Sequence, residues 1–308
     1  MLNRSDIESF VPRARRPADF DSFWADVLEQ TRAVQLRPQL ERVPLRSTPE
    51  VDVFRVHFDS LDLVRIAGWY CVPAGASEPL PGMLLLPGYI SDPPIPRRMA
   101  ASGLAVLSIG PRGKLGSNSQ FNPGYPGLLT HNIVDRNTYA YRGFYMDAVK
   151  AFEFLMTRPE VDAGRIAVQG ASQGGGLSVV TAALCPEVRA AVIGVPYLCA
   201  FRDSVELAGT NPYQEISDYL RLYPDRADAV WNTLEYFDGL HFAPLIRCPA
   251  LVYVGLQDNV CPPATGYALY RTIASKNKAF RAFDGYGHDG GRHGHNGMID
   301  DFLAQHLG

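Results

Sequence analysis

Short apolar runs that end near glycine or proline are the sequence feature that most constrains the fold of this chain. Five of them, spread between residues 83 and 258, show little alternation of apolar and polar residues. Strands that are buried on both faces have this pattern because they lie in a parallel sheet covered by helices on each side. The runs are "MLLLPG" (83–88), "LAVLSIG" (104–110), "RIAVQG" (165–170), "AAVIGVP" (190–196) and "ALVYVGLQD" (250–258).

Helical patterns separate several of these runs. Residues 142–159 and 173–185 have the composition and spacing of helices, so strand, helix and strand alternate along the chain. Two earlier β-rich segments, 51–58 and 63–73, are joined by a short polar link and predict an antiparallel hairpin. We therefore predict an α/β fold with a mostly parallel, doubly wound sheet and an N-terminal antiparallel hairpin.

Three other segments complete the predicted organisation of a single domain over residues 1–308. Residues 1–45 form a helical extension, with apolar side chains at helical spacing around Trp24. Residues 111–141 are a Gly-, Pro- and Asn-rich connection that is far longer than an ordinary loop, which makes it either functional or disordered. The aromatic-rich residues 197–242 predict a helical insertion that caps the C-terminal ends of the strands.

Composition excludes several classes of partner. The formal net charge of −3, from 29 basic and 32 acidic residues, gives no field that would attract nucleic acid or an anionic membrane. The apolar runs are too short to span a bilayer, and the N-terminus does not resemble a signal peptide. Single, scattered cysteines without a C-x-x-C motif indicate reduced thiols and a cytoplasmic protein. They are Cys71, Cys185, Cys199, Cys248 and Cys261.

The sequence "GASQG" (170–174) matches G-x-S-x-G between a predicted strand and a predicted helix. This is the context of a nucleophile elbow, in which a strained turn exposes Ser172 and the small residues Gly170 and Gly174 let strand and helix approach closely. The free N–H groups of the helix would stabilise an oxyanion, with Gln173 as the first donor. The alternative is that Ser172 is simply the N-cap of the helix.

A serine nucleophile needs an acid and a histidine, and in one known triad order both follow the serine. Asp258 ends the run 250–258, where a carboxylate can orient an imidazole, although it can also serve as a cap. His288 lies in a Gly-rich loop after the strand-like "KAFRAF" and is the candidate base. For the second oxyanion donor we favour the N–H of Tyr89, since Gly88 allows close approach, over a plain turn.

Other residues compete for these roles. Asp284 and Asp289 adjoin His288, but a triad acid normally comes from the end of a different strand, which favours Asp258. His293 and His295 are alternative bases. With His288 they match no standard zinc spacing and no cysteine lies near, so we predict no metal site.

With these residues assembled, the chain resembles the acetyl xylan esterase and cephalosporin C deacetylase group, which is carbohydrate esterase family seven of the α/β-hydrolases. The similarity extends over nearly the whole length, and its most specific pieces are "SQGGGL" and "GLQDNVCPP". It also includes "RPADFDSFW", "GWYCVPAG", "YAYRGFYMDAVKA" and "VPYLCAFRDS".

The resemblance implies the same site that order and context propose. It assigns the nucleophile to Ser172, the acid to Asp258, the base to His288, and the oxyanion N–H groups to Tyr89 and Gln173. It further implies removal of acetyl groups from small acetylated sugars and related esters, no cofactor, a cytoplasmic location, and a homo-oligomer, commonly a hexamer. It identifies no substrate-binding residues.

The chain also departs from the pattern of the family. The usual H-G-Y is "PGY" here, so Pro87 replaces a histidine, while the backbone donor at Tyr89 is retained. The usual R-G-Q is "RGK", with Lys114 in place of glutamine, which leaves the conformation of the long loop open. The usual H-E is "HD", with the shorter acid Asp289. These changes suggest that the natural ester differs.

The sequence thus favours a serine esterase that removes short acyl groups, most often acetyl, from carbohydrates or small-molecule alcohols. One alternative keeps the triad and directs it at an amide or peptide bond. Another is a non-catalytic ligand-binding relative, which would normally lack a triad member.

Overall fold

The computed structural model describes residues 4–114, 116–291 and 295–308. Within these ranges the apolar runs form strands of one sheet, as their pattern predicts. The strands are β1 (Gln39–Arg42), β2 (Val51–Asp59), β3 (Arg65–Pro73), β4 (Leu80–Leu86), β5 (Ala105–Gly110), β6 (Val161–Ala171), β7 (Ala190–Gly194), β8 (Ala250–Gly255) and β9 (Lys278–Phe283).

The strand order is β1-β2-β3-β5-β4-β6-β7-β8-β9. All neighbours from β5 to β9 run parallel, whereas β1, β2 and β3 form an antiparallel meander whose last strand joins β5 in antiparallel register. The predicted mostly parallel sheet with an N-terminal antiparallel hairpin is therefore confirmed. The chain passes from β4 outward to β5 and then back across to β6, so the carboxyl ends of β4 and β6 form a topological switch point, the usual place for a ligand site in such sheets.

Helices cover both faces of this sheet. They are α1 (Arg4–Ser9), α2 (Phe20–Ala33), α3 (Arg97–Ala101), α4 (Ala140–Met156), α5 (Gln173–Leu184), α6 (Phe201–Leu207), α7 (Gln214–Leu222), α8 (Ala227–Glu235), α9 (Gly239–Phe242), α10 (Pro263–Thr272) and α11 (His295–Leu307). Helices α6 to α9 occupy the segment 197–242 between β7 and β8. No helix in the described part of the chain is long and apolar enough to cross a membrane.

The core lies in two layers, one on each face of the sheet. Leu84 and Val168 belong to the larger layer, which α2, α4, α5 and α10 cover. Their neighbours Met83 and Ala167 point to the opposite face and pack with α3 and α11. Successive strand side chains alternate between faces, so a strand that is apolar at every position must have both faces covered. This explains why the runs show so little alternation.

Two details differ from the sequence expectations. The N-terminal extension is not wholly helical, because Gln39–Arg42 form β1 and pair with β2. Strand β6 begins at Val161, four residues before the predicted run. The connection between β5 and α4 matches the prediction, since its described residues contain neither helix nor strand from 111 to 139.

Candidate active site

Ser172 stands at the sharp turn between β6 and α5. Its backbone has φ 59° and ψ −122°, a positive φ that is costly for a residue with a side chain. The strain is held by hydrogen bonds: the Ser172 N–H donates to the Gly194 carbonyl at 3.0 Å, and the Ser172 carbonyl accepts from the Tyr197 and Gly176 N–H groups, each at 3.1 Å. Ser172 occupies the N-cap position, but within the described part of the chain its side chain makes no capping bond.

Glycines around this turn bring three backbones into contact. A Cβ on Gly174 would lie 2.1 Å from the Leu86 carbonyl oxygen at the end of β4, and a Cβ on Gly170 would lie 2.3 Å from the Gly174 carbonyl carbon. Neither distance is possible for real atoms, so both positions require glycine. As a result, the start of α5 lies directly against the end of β4, where the loop with Tyr89 begins.

Asp258 and His288 meet at the neighbouring strand ends. His288 Nδ1 lies 2.9 Å from Asp258 Oδ2, and the Asp258 side chain is fully buried whereas the imidazole is partly exposed. Asp258 Oδ1 accepts the N–H groups of Val260 and Cys261 at 2.8 and 2.9 Å, which fixes the carboxylate. Because an ionised carboxylate can only accept, Nδ1 must carry the proton, and Nε2 then keeps its lone pair for another proton.

The buried Cys261 thiol is influenced by both the acid and the serine. Burial raises its pKa, the negative charge of Asp258 adds to that shift, and the Ser172 side chain opposes it. Cys261 is also one of the two backbone donors to Asp258. Among the described residues, no hydrogen bond joins the Ser172 hydroxyl to His288. Such bonds are often long in ligand-free enzymes and tighten when substrate binds.

The competing residues take other positions. Asp284 accepts from the Gln257 side-chain amide at 3.0 Å and from the Gly285 N–H, and Asp289 is exposed. His293 lies outside the described residues, and His295 is the first residue of α11. Groups of three or more potential metal-ligating side chains are absent from the described ranges.

The two predicted oxyanion donors come from adjoining backbones. Gln173 is the first residue of α5, so its N–H has no partner within the helix, and Tyr89 follows β4 at the turn beside it. In the described ranges neither N–H donates to a protein acceptor. The Gln173 side chain is buried and its Oε1 accepts from the Tyr141 hydroxyl at 2.9 Å, which keeps it out of the turn.

Sequence reasoning missed the buried acid beside Tyr89. Glu215, on α7, accepts the Tyr89 hydroxyl at 2.9 Å with Oε1 and the Gly127 N–H at 2.8 Å with Oε2. The Tyr89 oxygen in turn accepts the Leu129 N–H at 2.8 Å. One carboxylate thereby joins the helical insertion, the loop after β4 and the long loop 111–139. On an amphipathic helix, the local sequence around a buried glutamate does not distinguish it from a glutamate that faces the solvent.

The segment "RGK" (112–114), which departs from the family pattern, has a defined conformation. Arg112 is buried and forms a bidentate pair with the buried Asp147 of α4, at 2.9 Å from Nη2 to Oδ1 and 3.0 Å from Nε to Oδ2. Two residues later, the Lys114 ammonium donates to the Gly88 carbonyl oxygen at 3.1 Å and also to the Tyr89 carbonyl oxygen. The lysine is therefore not a rim residue but a buried contact of the loop that follows β4 and contains Gly88 and Tyr89.

Comparison with known proteins shows the family of the chain. A family model described as acetyl xylan esterase (AXE1) matches residues 2–306. The solved acetyl xylan esterase from Paenibacillus sp. R4 is 34% identical, with a TM-score of 0.93 over 99% of this chain and 100% of that one. Acetyl xylan esterase 1 from Thermoanaerobacterium sp. JW/SL YS485 is 28% identical, with a TM-score of 0.92 over 100% and 99% of the two chains.

A curated relative gives the same indication over most of the chain. Acetyl esterase Axe7A of Xylanibacter ruminicola is 29% identical over 288 residues, which is 88% of this chain. That relative is longer, and the chain spans 64% of its length. The sheet with its N-terminal hairpin is thus an α/β-hydrolase fold, and the chain belongs to the acetyl xylan esterase family of carboxylic ester hydrolases.

Proposed function

We propose that this protein is a serine esterase that removes short acyl groups, acetyl first among them, from carbohydrates or related small-molecule alcohols. The observation that carries the proposal is the hydrogen bond between His288 and the buried Asp258. Ser172, held at a positive φ, follows a strand of the same parallel sheet and lies at the same edge. A carboxylate that fixes the imidazole tautomer, with a serine hydroxyl on a strained turn at the same edge of the sheet, is the arrangement that nucleophilic acyl transfer needs.

In the proposed mechanism the Ser172 oxygen attacks the acyl carbon while His288 Nε2 takes its proton. Asp258 stabilises the imidazolium, and the N–H groups of Tyr89 and Gln173 bind the oxyanion of the tetrahedral intermediate. The intermediate collapses, and the alcohol leaves with the proton from His288. Water then attacks the acyl-enzyme by the same route and releases the acid.

Replacement of the nucleophile tests the proposal. We expect Ser172→Ala to lower kcat on an aryl acetate by at least about 10⁴-fold, since removal of a serine nucleophile abolishes the covalent route. A fluorophosphonate should label the wild-type protein and not this variant. Ser178→Ala is the matched control, because Ser178 is buried in the same helix and its hydroxyl donates to the Gly174 carbonyl. If Ser172→Ala keeps wild-type turnover, the assignment of the nucleophile is wrong.

The alcohol that the natural ester contains can be identified by a direct comparison of substrates. Rates on acetyl, butyryl and longer aryl esters give the acyl-length limit, and acetylated xylo-oligosaccharides and cephalosporin C separate the two activities that the family resemblance implies. The match to the acetyl xylan esterase family supports acetyl as the preferred acyl group. We expect acetyl esters to give the highest kcat/KM.

A further inference from the structure

The loop that holds Gly88 and Tyr89, which we call the oxyanion loop, contacts a buried cation that the proposed mechanism does not use. Lys114 is 7% exposed, and its ammonium donates to the carbonyl oxygens of both Gly88 and Tyr89. It also lies 5.8 Å from the centre of the Tyr89 ring. Burial lowers the pKa of Lys114 to about 8, and the negative charge of Asp92 opposes that shift. A buried ammonium is costly, so its position here requires an explanation.

The explanation follows from the geometry of one peptide unit. The Gly88 carbonyl and the Tyr89 N–H belong to the same peptide group, which is trans in this structure. In a planar trans peptide the C=O and N–H bonds point in opposite directions. A donor fixed on the Gly88 oxygen therefore fixes the direction in which the Tyr89 N–H points. A charge-assisted bond to that oxygen also polarises the peptide and makes its N–H a stronger donor.

The other end of Tyr89 is held independently. Its hydroxyl donates to Glu215 and accepts the Leu129 N–H, so the phenol is fixed on the side away from the backbone. Glu215 is 6% exposed, and burial raises the pKa of its carboxyl. Lys114 therefore acts on the backbone of Tyr89, and Glu215 acts on its side chain.

We infer that Lys114 is a positioning residue that orients and polarises the Gly88–Tyr89 peptide as the second oxyanion donor, with Glu215 fixing the phenol of Tyr89 from the opposite side. This inference rests on the proposed esterase function. It predicts that the loss of Lys114 weakens binding of the tetrahedral intermediate and leaves binding of the ester ground state nearly unchanged.

The test compares Lys114→Met, which keeps the length of the side chain and removes the donor, with the wild type on an aryl acetate. We expect kcat to fall roughly 10- to 100-fold, less than the loss of a whole oxyanion donor, with KM within about twofold. An aryl trifluoromethyl ketone, which forms a tetrahedral adduct with the serine, should bind more weakly by a similar factor. Lys114→Gln keeps one neutral donor and should fall between the two.

Lys278→Met is the matched control. Lys278 also donates to backbone carbonyls, those of Tyr270, Arg271 and Ile273 at the end of α10, but it touches neither oxyanion donor. We expect this variant to keep the wild-type kcat and ketone affinity. The inference is overturned if Lys114→Met and Lys114→Gln, folded as judged by circular dichroism, bind the ketone as the wild type does. If Lys114→Met does not fold, kcat and ketone affinity of Lys114→Gln alone test the inference.

Failure of the esterase proposal looks different. In that case the wild-type protein itself would neither hydrolyse the aryl acetate nor bind the ketone. An active wild type with unaffected Lys114 variants would reject only the role of Lys114.

Glu215→Gln should lower kcat less than Lys114→Met does. The glutamine amide keeps one acceptor oxygen, which can still accept from one of the two donors that Glu215 binds, the Tyr89 hydroxyl or the Gly127 N–H.

Discussion

The two loops that carry the predicted oxyanion donors are held in place by different means. The turn at Ser172 is fixed by backbone contacts that only glycine allows, at Gly170 and Gly174. The loop at Tyr89 is fixed by side chains, through Lys114 on its carbonyl groups and Glu215 on its phenol. Both kinds of support join distant parts of the chain, since Gly174 contacts the Leu86 carbonyl and Glu215 lies 126 residues from Tyr89.

This difference determines how each loop can vary. A turn held by glycine backbones cannot accept a side chain without displacing the end of β4. A loop held by side chains can exchange one donor for another, as the lysine of "RGK" in place of the glutamine of the family pattern indicates. We therefore expect substitutions at the serine turn to affect folding first, and substitutions at the supports of the Tyr89 loop to affect the loop first.

The largest effect is expected for Gly174→Ala. Its Cβ would lie 2.1 Å from the Leu86 carbonyl oxygen, which belongs to the backbone of a central strand and cannot move aside. We expect the free energy of unfolding to fall by at least about 5 kcal/mol, or the protein not to fold. Urea denaturation and soluble yield measure this. Gly209→Ala is the control, since a Cβ there meets nothing within 4 Å. A variant within 1 kcal/mol of the wild type would contradict the backbone argument.

A smaller but substantial effect is expected for Asp147→Asn. This change leaves the buried Arg112 without its bidentate partner at the start of the long loop. Breaking one side of a buried pair costs about 3 to 5 kcal/mol, because the exposed Asp62, 3.6 Å from Arg112 Nη1, compensates the remaining charge only in part. Asp162→Asn breaks the partly exposed pair with Arg165 and should cost much less. Equal losses in urea denaturation of the two variants would show that the loop does not depend on the Arg112 pair.

The smallest effect concerns the pH dependence of stability at Lys114. Its pKa is about 8 in the folded protein and 10.5 in its ordinary state. Between these values the unfolded chain holds the proton that the folded chain has released, so stability rises with pH. Relative to Lys114→Met, the wild type should gain about 2 kcal/mol between pH 8 and pH 10. Urea denaturation of both proteins across this range measures the difference between their free energies of unfolding. A difference that does not change with pH would show that the Lys114 ammonium is solvated in the folded protein.

Much of the fold was accessible from the sequence because burial on both faces leaves a local pattern. Strands β4, β5, β7 and β8 are apolar at most positions, as is the stretch 166–168 of β6, and the G-x-S-x-G turn carries its own glycines. Strand β1 was missed because "QLER" is short and mostly exposed at the edge of the sheet, so it carries no apolar pattern. An edge strand is defined by the partner beside it rather than by its own residues.

The candidate site divides in the same way. Ser172, Asp258 and His288 each follow a strand, and parallel strands bring their carboxyl ends to one edge, so their proximity followed from the predicted topology. Glu215 and the contacts of Lys114 could not be predicted, because they depend on which face of α7 turns inward and how the long loop folds back. No periodicity in the sequence contains that information.

The strand order also has a consequence for how the protein folds. Tyr89, Ser172, Asp258 and His288 follow β4, β6, β8 and β9, so the site exists only after pairings between distant parts of the chain have formed. Such non-local pairings form slowly compared with local hairpins and helices. The hairpin of β2 and β3 can form early without any part of the site. Recovery of activity after dilution from denaturant would therefore report completion of the sheet, while earlier spectroscopic signals would report its pieces.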